Sequence, residues 1–312
     1  MWNFLFQAML LNNVKKKFKL PLFLILGIIL ASFLIGNISQ PIFKIQAKKI
    51  EAPKEQAPDL SVLQEKVLPS KGFTFKLNWG DLGKKLISDG VIDEAKLAQA
   101  LTGTDALPPE YKKYLDGSVK DQIELNTGNA QFWVDVLWGL GLSNKNDILD
   151  KGPMVEGGQT ANFASTGGYT IGVSKPMDLY SKFSYIKLTP DQQKQVEEIA
   201  GGIFRPCCGN SVAFPDCNHG MAALALVELM VSQNFSKDEI YRTVLAFNSY
   251  WFPQTYLDIS YHFAKNNRDF KTVSPAEILS KTFSSAQGYQ AIKRQVGPIA
   301  WPSLSGGKGC GA

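Results

Sequence analysis

The sequence predicts a mainly α-helical protein, and three features carry that prediction. Helix starts are written plainly at Thr189-Pro190, at Ser236 with Glu239, and at Ser274-Pro275 with Glu277. An uninterrupted apolar stretch, MAALALVELMVS over residues 221–232, has the length and composition of a buried helix. Only FTFKLNW, residues 73–79, alternates in the manner of a strand, and one short strand does not make a sheet.

In chain order, residues 1–19 form a short basic tail. LPLFLILGIILASFLIG, residues 20–36, is uncharged and apolar, and Ile38 extends it to the length of a bilayer-spanning helix. Pro21 falls in its first turn, where a missing N–H is harmless. The run is longer than the usual apolar region of a cleaved leader, and no A-x-A site follows. The expectation is therefore a transmembrane signal-anchor over 20–38. Lys15, Lys16, Lys17 and Lys19 abut it on one side, and Lys44, Lys48 and Lys49 follow at a distance. That bias favours a cytoplasmic N-terminus and an extracytoplasmic main domain.

Residues 39–70 mix Pro, Ala, Lys and Glu and read as a linker. A helical domain is expected over 71–302, with shorter helices at 81–89, 93–102, 108–115 and 130–140. EGGQTANFASTGGYTIG, residues 156–172, reads as an irregular Gly-rich loop that covers or lines a site, or simply connects. Residues 303–312 form a flexible Gly-rich tail that holds Cys310.

Composition narrows the function. The net charge of +5 owes much to lysines before residue 55, so the remainder gives no electrostatic case for nucleic acid. The chain has two histidines and neither a G-x-S-x-G elbow nor an H-E-x-x-H helix, which leaves the usual hydrolytic machinery without its parts.

Chemistry concentrates in RPCCGNSVAFPDCNHG, residues 205–220, which holds three of the four cysteines and one of the two histidines. Pro206, Gly209 and Pro215 keep this stretch from being helical throughout, so Cys217 and His219 fall at the N-terminus of the 221–232 helix. Asp216 or Asn218 is the expected cap. Thiolate is stabilised at such an end. Cys207 and Cys208 return to the same place through a loop turned at Gly209-Asn210 and Phe214-Pro215. Cys207, Cys208, Cys217 and His219 then make a Cys₃His ligand set, suited to zinc or copper(I).

Part of this loop resembles the CDGSH-type iron–sulfur domains, which carry C-x-C-x₂-[ST]-x₃-P-x-C-D-G-[SAT]-H. Cys208, Ser211, Pro215 and Cys217 match in register, and Phe214 is similar. Cys207 is one residue too close to Cys208, and His219 comes two residues early. The resemblance covers about a dozen residues, and it implies a [2Fe–2S] cluster as an alternative cofactor.

Three readings of the chain follow. It binds a soft metal through the Cys₃His set, with Asp216 and Cys310 as accessory groups. It is a thiol–disulfide protein in which Cys217 attacks and Cys208 or Cys310 resolves. Or it is a cell-envelope binding module whose cysteines staple a loop, for which Cys208–Cys217 is the easiest bridge. A second candidate lies in FNSYWFPQTYLDISYHF, residues 247–263, where Trp251-Phe252-Pro253 should break a helix. There Asp258 and His262 are spaced i, i+4 and share a face. They read either as an acid–base or ligand pair in a pocket or as part of an aromatic core.

Overall fold

A computed structural model describes residues 57–304. The expected transmembrane segment at 20–38 and Cys310 lie outside the described residues. Among those described, no helix is long and apolar enough to cross a membrane.

The described chain is mainly helical, in the order α1 Leu60–Val67, β1 Phe73–Phe75, α2 Leu82–Ser88, α3 Glu94–Thr102, α4 Pro109–Leu115, β2 Ile123–Leu125 and α5 Ala130–Ser143. It continues with α6 Asp147–Lys151, α7 Ala164–Gly167, α8 Pro176–Leu179, α9 Pro190–Gly202, α10 Asn218–Ser232, α11 Lys237–Trp251 and α12 Pro253–Lys265. Three more helices complete it: α13 Pro275–Ile278, α14 Lys281–Ser284 and α15 Ala286–Val296.

Two helices form the centre. α10 is buried from His219 to Val231, and α5 is buried along nearly its whole length. A helix apolar on all sides has nowhere to go but the middle of a packed domain. The pair approaches closely because Gly141 has no side chain: a Cβ there would stand 2.2 Å from the Met221 carbonyl oxygen. The amphipathic helices pack around them. α9 turns Val196, Ile199 and Ala200 inward at helical spacing.

The predicted starts fare differently. Thr189 and Gln192 form a reciprocal capping box on α9, and Ser236 and Glu239 form another on α11. Pro253 ends one helix and opens the next, as its missing N–H requires. The box expected at Ser274 does not form. Glu277 is instead taken by the Arg268 guanidinium through two bonds of 2.8 Å, and the helix stops after one turn.

Two further expectations are corrected. The linker does not extend to residue 70. Asp59 caps α1 by accepting from the Ser61 and Val62 N–H groups, and Leu63 and Val67 bury one face in the core. The alternating 73–79 segment does find a partner, since β1 pairs antiparallel with β2 in the register Phe73↔Leu125 and Phe75↔Ile123.

α10 carries one buried carboxyl group. The Glu228 carboxyl accepts from Asn144 Nδ2 at 2.7 Å through Oε2, while Oε1 has no hydrogen-bond partner among the described residues. Burial pushes its pKa from 4.5 up to about 8. The unfolded chain ionises this group at lower pH than the folded one does. Its stability contribution is therefore whole below about pH 4.5 and is lost as pH rises through about 8. The loss is of the order of a few kcal/mol. Glu228→Gln keeps an acceptor for Asn144 and removes the titration. Urea midpoints between about pH 5 and pH 8 should fall more steeply for the wild type than for the variant. Parallel slopes would contradict the assignment.

Candidate metal centre

The loop between α9 and α10 is built around Arg205. Its side chain is fully buried, and it satisfies four acceptors. Nη1 donates to the Asn210 carbonyl at 3.2 Å and Nη2 to the Phe214 carbonyl at 2.9 Å. Nη2 also meets Asp216 Oδ1 at 2.5 Å, and Nε donates to Cys217 Sγ at 3.1 Å. Asn210 Nδ2 closes the ring by donating to Asp216 Oδ2 at 2.7 Å. A planar fork can hold carbonyls, carboxylate and sulfur at once, which a lysine ammonium does less well. The guanidinium fits only because residue 220 is glycine: a Cβ there would stand 2.5 Å from Arg205 Cζ.

The backbone supports the same shape. Phe204 bridges Ser211, and the Val212 N–H donates to the Ile203 carbonyl at 2.8 Å. The Ala286 N–H, at the start of α15, donates to the Cys208 carbonyl at 2.9 Å. The Gly-rich segment covers one flank. The Ser165 N–H donates to the Asp216 carbonyl at 3.1 Å, and the Phe163 and Phe214 rings meet edge to face at 5.4 Å.

These constraints bring Cys207, Cys208 and Cys217 together, with all three Sγ atoms within 4.8 Å of one another. All three are free thiols. Cys207 Sγ and Cys217 Sγ stand 3.3 Å apart, whereas loop length alone had favoured the Cys208–Cys217 pair. Cys208 Sγ instead faces Asp216 Oδ1 at 3.7 Å and the Asn210 carbonyl at 3.9 Å.

Cys217 itself is the N-cap of α10, in place of the Asp216 or Asn218 expected. Its Sγ accepts from the Gly220 N–H at 3.4 Å. Asp216 cannot cap because Arg205 and Asn210 already hold both of its oxygens. Asn218 Oδ1 accepts from the His219 N–H instead.

The electrostatics favour one thiolate. Hydrogen bonds from Cys207 and then Cys208 hold the Cys217 thiol well below the ordinary range against the opposing effect of burial. His219 and the Arg205 charge act in the same direction. Cys207 moves up, because its hydrogen bonds to Cys208 and Cys217 keep its proton in use. At Cys208 the bond from Cys207 pulls downward, but its bond to Cys217 and burial carry the net shift up.

His219 is buried but lies outside the group of mutually close donors. Its ring packs against Phe252 at 4.4 Å and Trp251 at 5.8 Å between centroids. Nε2 has no hydrogen-bond partner among the described residues.

The second candidate does not come together as an acid–base pair. Asp258 is fully buried and accepts from Gln254, Tyr289, Lys293 and Trp301 at 2.7–2.9 Å. His262 turns away toward the Phe263 and Phe283 rings. Burial and the Arg268 charge hold its pKa below the usual value. Sharing a helix face is not enough when Gln254 on the same helix and three donors from elsewhere take the carboxylate.

Arg205 is the residue that sequence reasoning passed over. A signal was present: lysine is this chain's usual cation, and one of only four arginines stands two residues before the vicinal cysteines. No protein-family model, curated protein or solved structure matches this chain.

Gly220→Ala tests the packing. The added methyl displaces the guanidinium, and the variant should lose about 1–3 kcal/mol in chemical denaturation. The pH at which iodoacetamide begins to alkylate Cys217, read by peptide mass spectrometry, should rise as well. Unchanged stability with an unchanged alkylation profile would contradict the arrangement.

Proposed function

We propose that this chain is a membrane-anchored extracytoplasmic protein that binds one soft metal ion, zinc or copper(I), through Cys207, Cys208 and Cys217. The observation that carries the proposal is the mutual approach of the three sulfurs within 4.8 Å. Two thiolates bound to one ion at about 2.3 Å can stand no farther apart than about 4.6 Å, so the loop needs little movement to close on an ion. Thiolate is the donor class that zinc and copper(I) prefer.

The surroundings suit an anionic thiolate site. Arg205 and the N-terminus of α10 place positive charge beside the sulfurs before any ion arrives. His219, two residues beyond Cys217 and with one ring nitrogen unpartnered, is the available fourth group for zinc. Copper(I) is content with three sulfurs. A [2Fe–2S] cluster would spread its ligands over two irons, so sulfurs gathered this tightly favour a single ion. The apolar segment at 20–38 supplies the anchor, and the lysines before it favour a cytoplasmic N-terminus.

Elemental analysis of the anaerobically purified full chain tests the proposal. About one zinc or copper ion per wild-type chain is expected, and almost none in Cys217→Ser. No metal on the reduced wild type would defeat it. Iron with a visible chromophore would replace it with the cluster.

A further inference from the structure

We infer that Cys207 and Cys217 are a dithiol redox pair whose joining empties the metal site. The second half of the inference rests on the metal reading above; the first half does not. Sulfur positions carry it. Cys207 Sγ and Cys217 Sγ are 3.3 Å apart, so rotations within two short side chains suffice to reach a bond of about 2.05 Å. Cys208 is held differently. Its carbonyl accepts from Ala286, its N–H reaches back to the Arg205 carbonyl at 3.4 Å, and its thiol faces Asp216 and Asn210.

Access differs in the same sense. Cys207 is exposed, whereas Cys217 is only partly so and is fixed by the Arg205 Nε and Gly220 N–H groups. A small disulfide therefore meets Cys207 first. Cys207 attacks one sulfur of the reagent, the reagent's S–S bond breaks, and one small thiol leaves with the Cys207 proton. The Cys217 sulfur then attacks Cys207 in the mixed disulfide and expels the second sulfur of the reagent. The protein gives up two electrons and the protons its two sulfurs carry, and the departing sulfurs of the reagent take up both.

The outcome for a bound ion follows from arithmetic. Of the three sulfur ligands Cys208 alone remains, and one thiolate with only His219 beside it does not retain zinc or copper(I). Reduction restores all three.

The test uses the full chain, reduced and metal-free, as wild type, Cys208→Ser and Cys207→Ser. Each is equilibrated with oxidised and reduced glutathione, quenched in acid, digested with pepsin and mapped by mass spectrometry. A Cys207–Cys217 bridge is expected in the wild type and in Cys208→Ser, with no bridge inside the loop in Cys207→Ser. A Cys208–Cys217 or Cys207–Cys208 bridge, or one to Cys310, would overturn the pair. The wild type is then loaded with zinc while reduced and oxidised afterwards. Loss of most of the zinc is expected, and zinc retained on the bridged chain overturns the gating. If the reduced chain takes up no zinc, the metal reading and the gating fall together, while the bridge map still decides the pair.

Discussion

A guanidinium taken wholly out of water is among the most costly groups a protein can bury, and Arg205 is tolerated because four acceptors close around it. The dependence runs both ways. Without Arg205, the Asn210 and Phe214 carbonyls lose their donor, Asp216 loses its counter-charge, and Cys217 loses one of its two N–H partners. A buried unpaired acceptor costs about 1–3 kcal/mol, so the loop has no comparable alternative arrangement. Gly220 belongs to the same interaction, since any side chain there would occupy the space of the guanidinium.

From that centre the constraint passes outward into the scaffold. Cys217 is both a member of the sulfur cluster and the cap of α10, so the site and the most buried helix share a residue. α10 is locked against α5 by the close approach at Gly141 and by the bond between Asn144 and Glu228. On the other side, Ala286 ties Cys208 to α15. α15 in turn reaches the buried carboxylate of Asp258 through Tyr289 and Lys293. The loop is irregular in backbone, yet it is held at several points by rigid elements. That is the condition under which three thiols can stay close without bonding to one another.

What the sequence disclosed was local. Thr189 with Gln192 and Ser236 with Glu239 announce their helices because a capping box needs only four consecutive residues. Pro253 announces its break for the same reason. The cysteine cluster was legible because its members lie within thirteen residues, and their convergence follows from a helix start and a turn. Apart from the local Asp59 cap of α1, the failures were non-local. Ser274 and Glu277 have the right spacing, but Arg268 claims the glutamate. Asp258 and His262 have the right spacing, but Tyr289, Lys293 and Trp301 arrive from distant sequence. β1 needed a partner some fifty residues away, which alternation in one segment cannot reveal. The 3.3 Å approach of Cys207 to Cys217 likewise depends on how Arg205 and Asp216 turn the loop.

Arg205 shapes the loop, and the proposed metal site requires its three sulfurs to close on one ion. X-ray absorption at the metal edge of the reduced, zinc-loaded full chain reads that closure. A first shell containing three sulfurs at about 2.3 Å is expected. A first shell of oxygen and nitrogen alone, at about 2.0–2.2 Å, would contradict it.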